Sequence, residues 1–230
     1  MLFRSTNANL SNIVFTNPDF RGVKLGSVNL SGSDLSGATF DSTTEFADIN
    51  GNGVNLSGTN AVLRDLSGMI NFRGVNLSSV RFENSFLDQA EFDNTTKFSA
   101  TNPQTGLVEG VDLSGTGAKI STIQQFDTIS FEGAKLGTVD FTGSNLENST
   151  FNEDTQFTDQ FGNGANLSGT NANLSNIVFS NPDFSGVKLG SVNLSGSDLS
   201  GATFSSTTEF ADINGNGVNL SGTNAVLRDL

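Results

Sequence analysis

Cysteine, histidine, tryptophan and tyrosine are all absent from the 230 residues, and proline occurs only 3 times. Without Cys there is no disulfide framework and no thiolate metal site. Without His or Cys, the usual zinc, copper and haem ligation is excluded in practice, and no metal or cofactor is expected. The same two absences exclude Ser-His-Asp and Cys-His nucleophilic arrangements. Positive charge is also scarce: 11 Lys and Arg face 24 Asp and Glu, for a net charge of −13. That balance argues against nucleic acid or anionic membranes as partners, and favours solubility, a basic protein surface or cations. The opening residues Met1-Leu2-Phe3-Arg4-Ser5 carry no signal-peptide hydrophobic stretch. No apolar run approaches transmembrane length, so membrane insertion is not expected. The compartment stays open: cytoplasmic for a self-standing chain, cell-surface or extracellular for an excerpt of a longer exported protein.

What the chain does have is a five-residue beat. Phe15, Phe20, Leu25, Leu30, Leu35 and Phe40 lie five apart. The spacing returns at Phe72, Leu77, Phe82, Leu87 and Phe92. It returns from Phe126 through Phe131, Leu136, Phe141 and Leu146 to Phe151, and from Phe179 through Phe184, Leu189, Leu194 and Leu199 to Phe204. Two positions before each large residue stands a small or β-branched one, as in Val23, Val28, Ser33 and Ala38. Neither the 3.6-residue helix period nor the 2-residue strand period produces this. A short repeat sustained along a chain means a solenoid, in which each coil touches only its neighbours.

Longer repeats lie above the beat. Thr43-Thr44-Glu45-Phe46, Thr95-Thr96-Lys97-Phe98, Asp154-Thr155-Gln156-Phe157 and Thr207-Thr208-Glu209-Phe210 each interrupt it with a six-residue step. Each opens a polar, Gly-rich excursion, and the first three re-enter the beat at Leu56, Leu113 and Leu167. We expect one solenoid over 1–230, with modules at 43–94, 95–153 and 154–206 and a partial one at 207–230. Residues 6–66 recur at 170–230 with three changes, at Thr16, Arg21 and Asp41. So close a duplication, with no polar cap legible at either end, reads as an excerpt of a longer tandem array or an engineered segment.

The phrases Val28-Asn29-Leu30-Ser31-Gly32, Ser33-Asp34-Leu35-Ser36-Gly37 and Ala134-Lys135-Leu136-Gly137-Thr138 resemble the pentapeptide-repeat family. The resemblance implies an all-β right-handed quadrilateral β-helix, four pentapeptides to a coil, with the six-residue phrases as corner-loop interruptions. The beat residues and those two before them would then point inward, and Gly and Asn would supply the corners. At an inter-strand spacing of ~4.8 Å, about 11 coils would make a rod about 50 Å long.

Four functional signals compete with blander readings. Some members of that family inhibit DNA gyrase by mimicking DNA, and residues 136–187 hold six acids (Asp140, Glu147, Glu153, Asp154, Asp159, Asp183) and no base. The charge is roughly one per coil, however, against about three for B-DNA over the same rise. Asp48-Ile49-Asn50-Gly51-Asn52-Gly53, repeated at Asp212 to Gly217, looks like the start of a calcium loop, but Thr59 stands where the twelfth-position Glu belongs. A Gly/Asn corner is the simpler account. Paired carboxylates can catalyse, yet no pocket is legible in a pattern of short side chains on flat faces. Outward ladders of Asn, Ser and Thr could bind glycans, mineral or ice, or only solvate the sheet. The expectation is therefore a non-enzymatic structural or interaction rod from a bacterial repetitive protein: a spacer, scaffold or filament that self-associates end to end. The alternative is a DNA-mimicking topoisomerase inhibitor.

Overall fold

The computed structural model describes residues 7–121, 123 and 127–227. Phe126, the first beat of the third run, lies outside them. The chain forms two compact units, Met1–Asp112 and Leu113–Leu230. Each is a β-helix built from parallel bridges between successive coils.

In unit 1, Asn9, Val14, Asp19 and Lys24 pair in parallel with Asn29, Asp34, Thr39 and Glu45. Four bridges, each one pentapeptide further on, define four faces. In unit 2, Asn173, Val178, Asp183 and Lys188 pair likewise with Asn193, Asp198, Thr203 and Glu209. Each face contributes a very short strand before the chain turns a corner. Longer pairing occurs in unit 1, where β1 (Val62–Arg64) and β2 (Arg81–Glu83) run parallel. There β3 (Ser99–Thr101) and β4 (Val108–Gly110) also form an antiparallel hairpin.

The corner explains the pentapeptide chemically. At regular corners the carbonyl of the large residue accepts the N–H three residues on, as in Val23 N–H to Phe20, Val28 to Leu25, Ser33 to Leu30 and Ala38 to Leu35. The residue before each of these donors has a positive φ: Gly22 at 65°, Ser27 at 65°, Gly32 at 66° and Gly37 at 74°. This is the type II turn, whose third position favours Gly. The Asp or Asn before the large residue closes the corner by accepting the N–H two residues on. Asn29 Oδ1 takes Ser31 N–H at 3.1 Å, and Asp34 Oδ1 takes Ser36 N–H at 2.9 Å. The polar letter of the repeat is thus a turn cap.

The core is a column of rings and aliphatic layers. Phe20, Phe40, Phe46 and Phe72 succeed one another at centroid distances of 5.2, 5.8 and 5.2 Å. In unit 2, Phe131, Phe151, Phe157 and Phe184 do so at 5.5, 5.9 and 5.6 Å. Of the beat residues, Phe20, Leu25, Leu30, Leu35, Phe40, Phe72, Leu77, Phe82, Leu87 and Phe92 are buried in unit 1. In unit 2, Phe131, Leu136, Phe141, Leu146, Phe151, Phe179, Phe184, Leu189, Leu194, Leu199 and Phe204 are buried. Phe15 departs from this register: it is only half-buried. Its coil is paired on the side of Asp34, and the described residues place no coil on its other side.

The six-residue phrases fit because a hydroxyl fills the corner. Thr44, Thr96, Thr155 and Thr208 are buried. Their Oγ1 atoms donate to the carbonyls of Phe20, Phe72, Phe131 and Phe184 at 2.9–3.1 Å. A buried hydroxyl without such a partner would cost about 1–3 kcal/mol. Phe46, Phe98 and Phe157 then re-enter the core at 1% exposure each.

Candidate functional site

Three outward features offer chemistry: the polar ladders, the corner loops and one hollow in unit 1. The ladders come first. Asn9, Asn29, Asn55 and Asn76 stand in register on one face of unit 1. Asn29 Nδ2 donates to Asn9 Oδ1 at 3.2 Å. Asn173, Asn193 and Asn219 repeat this in unit 2, with amide bonds of 3.2 and 3.1 Å. Ion pairs also cross between coils: Lys24–Glu45 at 2.6 Å, Arg64–Glu83 at 2.6 Å and Lys188–Glu209 at 2.9 Å. All are largely exposed and screened by solvent, so each contributes little to stability.

Three of the six acids of the 136–187 stretch, Asp140, Asp159 and Asp183, cap corners, while Glu147, Glu153 and Asp154 are exposed. Asp140 Oδ1 accepts the N–H and Oγ1 of Thr142, and Asp183 Oδ1 accepts Ser185 N–H. Among the described residues, no group of three or more Asp and Glu is placed to hold a metal ion.

The corner loops share one geometry. Ala47 pairs antiparallel with Gly53, Thr158 with Gly164 and Ala211 with Gly217. Within the first loop, Asp48 Oδ1 accepts the N–H groups of Asn50 and Asn52, and Oδ2 accepts Asn52 Nδ2 at 2.8 Å. Asp159 and Asp212 make the same three bonds. The Asn52 side chain, followed by its N–H, holds the Asp48 carboxyl below the usual carboxylate range. Asn216 does the same for Asp212. At Asp159 burial pushes upward, but the bonds from Asn163 and its neighbours win. Both oxygens of each carboxylate thus serve the turn itself, as a Gly/Asn corner requires. Each loop also leans on a neighbouring coil. Gly26 meets the Asp48 backbone, and Gly53 meets Gly74 and Val75 so closely that a Cβ would clash. Gly137, Gly164 and Gly190 repeat these contacts in unit 2.

A further hollow of about 400 Å³ is lined by residues including Asn12, Val14, Asp34, Ser36, Asn60 and Gln104. The β3–β4 hairpin contributes Gln104 to its lining. Gln104 Nε2 donates to Gly32 O at 2.5 Å, and Asn102 lies beside Gly58. The hairpin is not among the sequence-derived sites. Its signal is length: Phe98 to Leu113 is 15 residues, where Phe46 to Leu56 and Phe157 to Leu167 are 10.

Residues 6–37 and 172–208 match the family model for pentapeptide repeats, in eight copies. These two segments are pentapeptide repeats. The fold is all-β, with the four short parallel-bridged faces to a coil that a quadrilateral β-helix has. No curated protein matches the chain. Similar solved structures include a trypsin-treated form of QnrB1, described as a plasmid-mediated fluoroquinolone resistance protein. That structure is 17% identical, with 96% of this chain and 89% of that one covered and a TM-score of 0.36. Another is HetL from the cyanobacterium Nostoc sp. strain PCC 7120, described as involved in heterocyst differentiation regulation. It is 21% identical over 95% of this chain and 87% of that one, with a TM-score of 0.24. No helix among the described residues is long and apolar enough to cross a membrane.

Proposed function

We propose that this protein is a non-enzymatic structural and interaction element, a spacer or scaffold that lengthens by stacking coil on coil, including coils of a second copy. The reading rests on one comparison within the chain. Phe46, Val54 and Leu56 form a layer at 1%, 0% and 0% exposure, covered by the coil that follows. Their counterparts Phe210, Val218 and Leu220 are only half-buried in the 230-residue chain. A further coil laid on that layer would bury these three side chains as the following coil buries Phe46, Val54 and Leu56. Head-to-tail stacking of this kind does not close, so it grows filaments. The negative charge opposes it, and salt screens that repulsion over about 10 Å at 0.1 M.

Light scattering tests the reading. The mass should rise with protein concentration and with salt. Val226→Lys with Leu227→Lys, at exposed positions on that end, should suppress the rise. A constant single-chain mass across both variables would overturn it. The topoisomerase reading is weaker, because the charge amounts to roughly one per coil, against about three for B-DNA over the same rise. Gyrase supercoiling should proceed unchanged at micromolar protein.

A further inference from the structure

The near-duplicate segments provide an internal comparison at the hollow in unit 1. Asp34, Leu35, Ser36 and Asn60 correspond to Asp198, Leu199, Ser200 and Asn224. In unit 2 the Asn224 carboxamide is held at three points. Its Oδ1 accepts Leu199 N–H at 2.6 Å, and its Nδ2 donates to Asp198 Oδ1 at 2.6 Å and to Ser200 Oγ at 2.8 Å. In unit 1 the receiving groups are arranged alike. Asp34 Oδ1 binds Ser36 N–H and Oγ at 2.9 and 2.6 Å, as Asp198 binds Ser200 at 2.9 and 2.6 Å.

Asn60, however, makes none of the bonds of Asn224. The buried Leu35 N–H has no hydrogen-bond partner among the described residues. An unpaired N–H beside a buried side chain is uncommon and calls for an acceptor. Asp34 and Ser36, on either side of Leu35, line the hollow that Gln104 borders. Gln104 belongs to the β3–β4 hairpin of unit 1 and has no counterpart in the duplicated segment.

We propose that this hollow is a binding subsite for a primary carboxamide carried on an extended polypeptide, an Asn or Gln side chain of a partner protein. The Asn224 carboxamide shows the chemistry the three groups accept: one carbonyl oxygen for the Leu N–H, one NH2 for the carboxylate and the hydroxyl. A carboxylate ligand would lack the NH2 and would meet the Asp34 charge. A hollow of about 400 Å³ has room for the backbone on either side of the side chain. Val14, 78% exposed on the lining, offers that backbone an apolar contact.

Nuclear magnetic resonance of the 15N-labelled full chain tests this, with Ac-Gly-Thr-Asn-Ala-NH2 as probe and Ac-Gly-Thr-Asp-Ala-NH2 as control. Three hydrogen bonds to a small probe put the expected Kd near about 1 mM. The Asn peptide should shift the Leu35 amide signal and leave Leu199 in place, and the Asp peptide should shift neither. Asp34→Ala should weaken binding at least about fivefold, and Ser36→Ala should weaken it less. Asn224→Ala should make Leu199 respond as Leu35 does. The inference is overturned if Leu35 stays unmoved at about 10 mM peptide, or if both peptides move it. Equal hydrogen-exchange protection of Leu35 and Leu199 in the free chain would also overturn it, since Asn60 would then fill its own site.

Discussion

Phe46→Ala and Phe210→Ala remove the same side chain from the same local sequence, so their difference isolates the effect of a covering coil. Phe46 is 1% exposed and lies between Phe40 at 5.8 Å and Phe72 at 5.2 Å. Its loss removes the transfer free energy of a full ring and leaves a cavity between two rings, at a cost of about 4 kcal/mol. Phe210 is half-buried and meets Phe204 at 5.5 Å. It loses about half the transfer term and opens no closed cavity, so about 2 kcal/mol is expected. The gap of about 2 kcal/mol is a factor of roughly 30 in the unfolding equilibrium. Urea unfolding followed by circular dichroism reads it, at dilutions where light scattering gives a single-chain mass. Stacked repeats need not unfold in one step. Hydrogen exchange at Val54 N–H and Val218 N–H, which donate to Phe46 O and Phe210 O, therefore supplies the local measurement. Equal losses for the two variants would refute the layer argument. A Phe210→Ala cost that grows with protein concentration would instead support end stacking, because a stacked copy would make Phe210 a core residue.

Leu30→Asp should cost several kcal/mol, because Leu30 is 0% exposed and the carboxylate would stand unpaired in an apolar layer. Ser31→Asp, half-buried at the corner beside it, should cost under about 1 kcal/mol, and thermal melts compare the two. Gly74→Ala should destabilise more than Gly22→Ala in the same melts. Both have a positive φ, 67° and 65°, which costs about 1–2 kcal/mol for a side chain. Only at Gly74 would the new Cβ strike Gly51 O of the corner loop, whereas at Gly22 the nearest atom is Thr43 Oγ1 at 3.6 Å. The Asp48 carboxyl is depressed first by the Asn52 side chain. Its support of the loop is therefore fully present above the unfolded-state value near 3.9 and lost as pH falls through the lowered folded value. The Asn52 amide shift should titrate below the range of a free Asp, and a midpoint at or above that range would refute the clamp. Millimolar calcium should leave the melting temperature unchanged, because both Asp48 oxygens are already engaged; a rise lost in Asp48→Ala would refute that.

The five-residue spacing by itself dictates which residues face inward, because a corner every five residues leaves no other arrangement in which Leu25, Leu30 and Leu35 share one interior. The sequence also carries the corner chemistry: Asp or Asn before the large residue, and Gly where φ is positive. What it cannot carry is neighbourhood. Phe46 and Phe210 stand in nearly identical sequence and differ in burial because, among the described residues, a following coil covers only Phe46. Thr44 reads as one more surface Thr until Phe20, 24 residues earlier, presents its carbonyl. Asn60 and Asn224 share their flanking residues, yet only Asn224 closes over the leucine N–H of the coil beneath it. Gln104 reaches Gly32 across 72 residues because the β3–β4 hairpin folds back along the coils. A local repeat sets turns and inward faces through short-range geometry. Which groups are covered, satisfied or left open depends on the layers stacked against them, and those come only with the tertiary structure.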